Sequence, residues 1–149
     1  MRSLLRVAAL ACCACSAGTP SPAVLDTRNE ACGSCRMTIA EARFAGQIVA
    51  PSEEPRFFDD VGCLGRFVQE AHALPERAVA YVADHRTKAW VRADTAVYTR
   101  VPSVETPMGS HLLAHADAAS RDADPMAAGG AARTAADVFG PKGPPRGAR

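Results

Sequence analysis

The order of patterns between Gln47 and Ala83 restricts the fold most. Gln47 to Ala50 (QIVA) and Arg56 to Phe58 (RFF) are short apolar runs on either side of the turn-rich Pro51 to Pro55. That pairing reads as a two-stranded hairpin. Asp59 or Asp60 can then cap a helix N-terminus. Val61, Leu64, Phe67, Val68 and Ala71 recur at helical spacing, and Pro75 stops the run. Ala78 to Ala83 (AVAYVA) is a strand rich in β-formers. The unit is strand, strand, helix, strand.

A weaker copy follows. Ala89 to Arg92 (AWVR) and Ala96 to Val101 (AVYTRV) read as strands, and Pro102 to Gly109 as a loop. Leu112 to Met126 is alanine-rich and is expected to be helical. AARTAADVFG adds a short closing element. The expected fold is therefore α+β, with two small related ββαβ units over residues 31–86 and 87–140. Residues 16–30 read as a tether and residues 141–149, PKGPPRGAR, as a disordered tail. A chain of 149 residues suits one domain, or two small ones sharing a core.

The first 15 residues read as a targeting segment. Arg2 and Arg6 give a positive start, Val7 to Ala11 is apolar, and small residues follow. This resembles a bacterial lipoprotein signal, with the lipidated residue among Cys12, Cys13 and Cys15. No apolar run is long enough to span a bilayer as an ordinary helix. The formal charge of +1 gives no field that would draw nucleic acid.

The chemistry rests on sulfur. Cys32 and Cys35 have the C-x-x-C spacing that points two thiolates at one ion or closes a disulfide. A thioredoxin-like oxidoreductase would need this pair to open a helix directly after a strand, but a loop precedes it. A zinc site needs a fourth ligand beyond Cys63: His72, His85, His111 or His115. A disulfide among Cys32, Cys35 and Cys63 also suits an exported chain. Met37 tilts the site towards Cu(I), because thioether and Cu(I) are both soft. Cys63 falls at the helix start, where the dipole is expected to favour thiolate. Met108, in TPMGS, and the nearby His111 form a second soft patch. Asp59 and Asp60 read as a helix cap, Met126 as packing, and nothing argues for an enzyme.

CGSCRMTI (32–39), FFDDVGCLGRFV (57–68), YVADHRTKAWVRADTAVY (81–98) and PMGSHLLAH (107–115), in that order, resemble the NosL-type nitrous oxide reductase accessory proteins. The resemblance spans about residues 31–116. It implies two related ββαβ units and a lipid-anchored, periplasm-facing Cu(I)-binding protein. Such a protein delivers copper for maturation of nitrous oxide reductase, so the implied partners are the receiving reductase or its assembly and transport proteins. It places metal ligands at Cys32, Cys35, Met37, Cys63 and Met108. Arg36 departs from the pattern, which usually has glycine before the methionine. The competing expectations are an exported zinc-binding or disulfide-stapled interaction module and a C-x-x-C oxidoreductase.

Overall fold

The structure, a computed structural model, describes residues 18–147. The targeting segment, with Cys12, Cys13 and Cys15, lies outside the described residues.

The fold is mixed α+β, with two antiparallel sheets and three short helices among the described residues. The first sheet holds β1 (Gly46–Val49), β2 (Arg56–Phe58), β3 (Val79–Ala83) and β4 (Trp90–Arg92), in the order β2-β1-β3-β4. Helix α1 (Val61–Glu70) connects β2 to β3. The second sheet holds β5 (Val97–Arg100), β6 (Leu112–His115) and β7 (Ala131–Arg133), in the order β6-β5-β7. Helix α2 (Ala118–Asp122) connects β6 to β7, and α3 (Ala135–Phe139) follows.

Both halves follow one plan. In each, the first strand is central, the second and third flank it, and a helix joins those two. The match extends to the turns before the central strands. Cys32 N–H donates to Met37 O at 2.8 Å, as Asp84 N–H does to Ala89 O at 2.8 Å. Gly33 N–H donates to Phe57 O, as His85 N–H does to Ala114 O. Arg36 and Lys88 both have left-handed backbones, with φ of 67° and 63°. Asp60 and Asp117 each cap the helix that follows. Cys32 therefore corresponds to Asp84, Gly33 to His85, Phe58 to His115, and Cys63 to Ser120.

Three expectations are corrected. Leu112 to Met126 is not one helix. Its first four residues pair with β5, α2 follows, and Pro125–Ala127 forms a 3-10 turn. Strand pairing and the Asp117 cap outweigh the helical preference of the alanines. The AWVR strand pairs with β3 of the first sheet rather than with the second. Residues 141–147 are not free: Ala80 N–H donates to Pro145 O at 2.9 Å and Gly147 N–H to Ala78 O at 2.7 Å. Backbone groups suffice for this docking, which composition does not register. The segment before the first sheet is likewise held, by Gln47 on both backbone groups of Ala23 and by Tyr81 Oη on Pro20 O.

One core serves both halves. Phe58, Val61 and Leu64 of the first share it with Tyr98, Ala114 and Phe139 of the second. Tyr98 and Phe139 meet edge to face at 5.8 Å. Helices α1 and α3 approach so closely that a Cβ on Gly65 would lie 2.4 Å from Val138 O. Only glycine fits there, and the contact seats α1 against the second half.

Candidate metal centre

The turn after Ala31 folds back on itself through the Cys32–Met37 bond, which buries Cys32 and leaves Cys35 half-buried. Helix α1 starts at Asp60, whose carboxylate accepts from Gly62 N–H at 2.6 Å. Cys63 is therefore in the first turn of α1, and it is buried. Asp59, just before the cap, is buried as well. One ligand atom from each of Cys32, Cys35, Asp59 and Cys63 lies within 4.8 Å of all the others.

The group is chemically incomplete. All three cysteines are free thiols. Cys35 Sγ–H donates to Asp59 Oδ2 at 3.3 Å, while Asp59 Oδ1 is buried with no partner. A buried carboxylate oxygen without a donor is costly, and a bound cation removes that cost. Burial pushes the Cys63 thiol well up, reinforced by Asp59 and Cys32. Burial also raises Cys35, against the Met37 N–H, which lowers it. The expected thiolate at the helix start is thus corrected: desolvation and neighbouring acidic groups outweigh the helix dipole.

The corresponding place in the second half is saturated. Asp84 Oδ2 accepts from Ala116 N–H at 2.8 Å and Ser120 Oγ–H at 2.6 Å. Its Oδ1 accepts from Thr87 Oγ–H at 3.0 Å and from the N–H groups of Arg86 and Thr87. Burial opposes its ionised form, but bonds from Ser120, Ala116 and Thr87 win and hold the carboxyl well below the ordinary range. One architectural slot holds a closed hydrogen-bond node in one half and an open sulfur cluster in the other.

The other sequence candidates are placed as follows. Met37 is 57% exposed, on the turn beside Cys35. Met108 is half-buried against the core that includes Cys32 and Cys63. Its loop is tied to the start of α1, because Asp60 Oδ2 accepts from Thr106 Oγ–H at 2.6 Å and Met108 N–H at 3.1 Å. His111 is outside the four-donor group and donates Nδ1–H to Val104 O at 2.8 Å. His72 is exposed, and Met126 is 43% exposed rather than packed.

Sequence reading missed Asp59, because one cap explained both neighbouring aspartates. The available signal was that one helix needs only one cap. It also missed a second group, His85, His115 and Asp124, all buried. His85 Nδ1 and His115 Nε2 lie 2.5 and 3.0 Å from Asp124 Oδ2. Nothing in the sequence couples these residues. The β3–β6 neighbourhood brings them together.

A family model, NosL, matches residues 23–140, which takes in both repeats and both clusters. No curated protein and no solved structure matches the chain.

Proposed function

The chain belongs to the NosL family, and from that premise we propose that it is a Cu(I)-binding accessory protein. It delivers copper towards maturation of the copper centres of nitrous oxide reductase and catalyses no reaction itself. The observation that carries the reading is the convergence of three free thiols on a buried carboxylate with one unsatisfied oxygen. Thiolates select soft ions, and Cu(I) is the softest of the common candidates. Cu(I) accepts about two or three soft donors, so Cys32, Cys35 and Cys63 suffice, with Met37 or Met108 as exchangeable thioethers. Half-exposed Cys35 and exposed Met37 form the side from which an ion enters or leaves. Each thiol that binds gives up its proton to solvent.

One observation favours a second reading. Asp59 adds a hard oxygen to three sulfurs, which makes a four-ligand set suited to tetrahedral Zn(II). Metal content after anaerobic purification separates the two readings. The copper reading expects about one Cu(I) per chain, retained against excess zinc. Displacement by zinc, or zinc alone in the purified protein, supports a structural zinc module. Absence of both metals with Cys32 and Cys35 oxidised supports a disulfide-stapled module.

The proposed location is the bacterial cell envelope, facing the periplasm. A lipid on Cys12, Cys13 or Cys15 anchors the chain, and no helix among the described residues is long and apolar enough to cross a membrane. Mass spectrometry of the N-terminus after fatty-acid labelling tests this. An unmodified chain starting at Met1 in the membrane fraction rules it out. The receiving reductase, or the proteins that assemble and supply it, are the proposed partners.

A further inference from the structure

The second half holds histidines where the first half shows that its architecture does not need them. His115 corresponds to Phe58, each two residues before a capping aspartate and each fully buried. His85 corresponds to Gly33, each donating its N–H across to the neighbouring strand. A phenylalanine and a glycine satisfy the fold at these points in the first half. In the second half two imidazoles replace them, and both face the carboxylate of Asp124. Burying polar side chains is costly unless they are paired, and here two imidazoles stand where a phenylalanine and a glycine suffice.

The geometry fits a metal ion. His85, His115 and Asp124 are 3%, 0% and 5% exposed. One ligand atom of each lies within 4.8 Å of the others. Coordination bonds of about 2.0–2.2 Å place ligand atoms roughly 3 Å or a little more apart. His115 Nε2 is already 3.0 Å from Asp124 Oδ2, and His85 Nδ1, at 2.5 Å, must open slightly. His85 Nε2 and His115 Nδ1, on the outer side of each ring, are buried without partners. No donor pins those outer nitrogens as acceptors. Each ring can therefore shift its proton outward and offer its inner lone pair to an ion. Asp124 Oδ1 is held by Met126 N–H at 2.9 Å, which leaves Oδ2 to face both rings.

We propose that His85, His115 and Asp124 form a second metal site, separate from the sulfur cluster, for a borderline divalent ion of the Zn(II) class. Two imidazoles and a carboxylate suit such an ion and suit Cu(I) poorly. The site is closed to solvent, so the ion enters as the chain folds and stays. It fastens the segment after α2 to the end of β3 and is structural rather than a station for transfer. It stands or falls independently of copper binding by the cysteines.

The test uses the full chain with 15N-labelled histidine, refolded with and without two equivalents of Zn(II). The second equivalent allows for zinc held by the cysteines. The expected result is a large shift of the ring-nitrogen signals of His85 and His115, with exposed His72 unmoved as an internal reference. The thermal midpoint should rise in zinc. His115→Phe, the residue that the first half uses at this position, should bind one equivalent fewer and lose the zinc-dependent rise in midpoint. Unmoved His85 and His115 ring signals in zinc-refolded wild type overturn the proposal, whatever the variant does. Equal zinc stoichiometry in wild type and folded His115→Phe also overturns it.

Discussion

Cys32 and Asp84 occupy the same point in two copies of one turn, each donating its N–H to the carbonyl five residues on at 2.8 Å. Around Asp84 both carboxylate oxygens are satisfied by neighbouring hydroxyl and N–H groups. Around Cys32 the thiols face a carboxylate that is left half unsatisfied. The backbone thus supports two chemical outcomes, and side-chain identity selects between them.

Cysteine and aspartate variants should separate copper from zinc. Cys63→Ser places in α1 the residue that the second half has at this helical position, so it should fold. Its Cu(I) affinity should fall at least about tenfold, or about 1.4 kcal/mol. Asp59→Asn should weaken Zn(II) more than Cu(I), because the lost donor is a hard oxygen. Anaerobic competition with a metal chelator measures both. Equal losses for the two metals in Asp59→Asn would count against a sulfur-only copper shell.

Two methionines give a second test. Met108 is in the loop that Asp60 ties to α1, whereas Met126 is exposed on the far side of α2 in sequence. Met108→Ala should weaken Cu(I) binding and cost about 1 kcal/mol of stability from its half-buried position. Met126→Ala should change neither. Unchanged Cu(I) affinity in Met108→Ala would confine the site to Cys32, Cys35, Met37 and Cys63.

Metal uptake should depend on pH in one direction. Burial raises the Cys63 and Cys35 thiols, so they remain protonated in the metal-free protein near neutrality. Binding must therefore release protons, and the apparent affinity should rise with pH. Proton release on adding Cu(I) to a weakly buffered solution is the direct measurement. Uptake without proton release would mean that the thioethers, not the thiols, hold the ion.

Asp84 should limit acid stability. Its folded carboxyl titrates below the ordinary value of 3.8, so its stabilisation is complete above that value. It is lost as pH falls from about 4 towards the lower folded value. Asp84→Ala should destabilise by about 3 kcal/mol or more, since it removes several bonds to one buried charge. Asp84→Asn should flatten the acid limb. Denaturant unfolding of wild type and both variants across the acid range checks this.

The first half was legible because its signals were local. β-formers, the aspartate cap and the helical apolar stripe each sit within a few residues, and α1 and β1 to β3 follow from them. In the second half the decisive forces are not local. Leu112–His115 is a strand because β5 lies beside it, although it opens an alanine-rich stretch that favours helix. The candidate site follows the same division. Cys32 and Cys35 announce themselves by spacing and Cys63 by being the remaining body cysteine. Asp59 was hidden behind the cap that Asp60 alone supplies. Asp124 is 39 residues from His85, so only the folding of the second half against the end of β3 discloses it. Arg36, the departure from the glycine that the resemblance expects, sits in the left-handed region of the backbone. Its φ of 67° is the conformation that glycine adopts without strain.

The docking of residues 141–147 bears on self-association. Strand β4 covers the outer side of β3 only at Tyr81–Ala83, and Val79 pairs instead with Arg146. Arg92 strengthens the junction by donating Nη2–H to Arg146 O at 2.9 Å. Without this segment, the groups now bonded at Ala78 and Ala80 would form an open edge that a strand from another copy could extend. The proline- and glycine-rich stretch therefore occupies the length of sheet edge that a neighbouring chain would need.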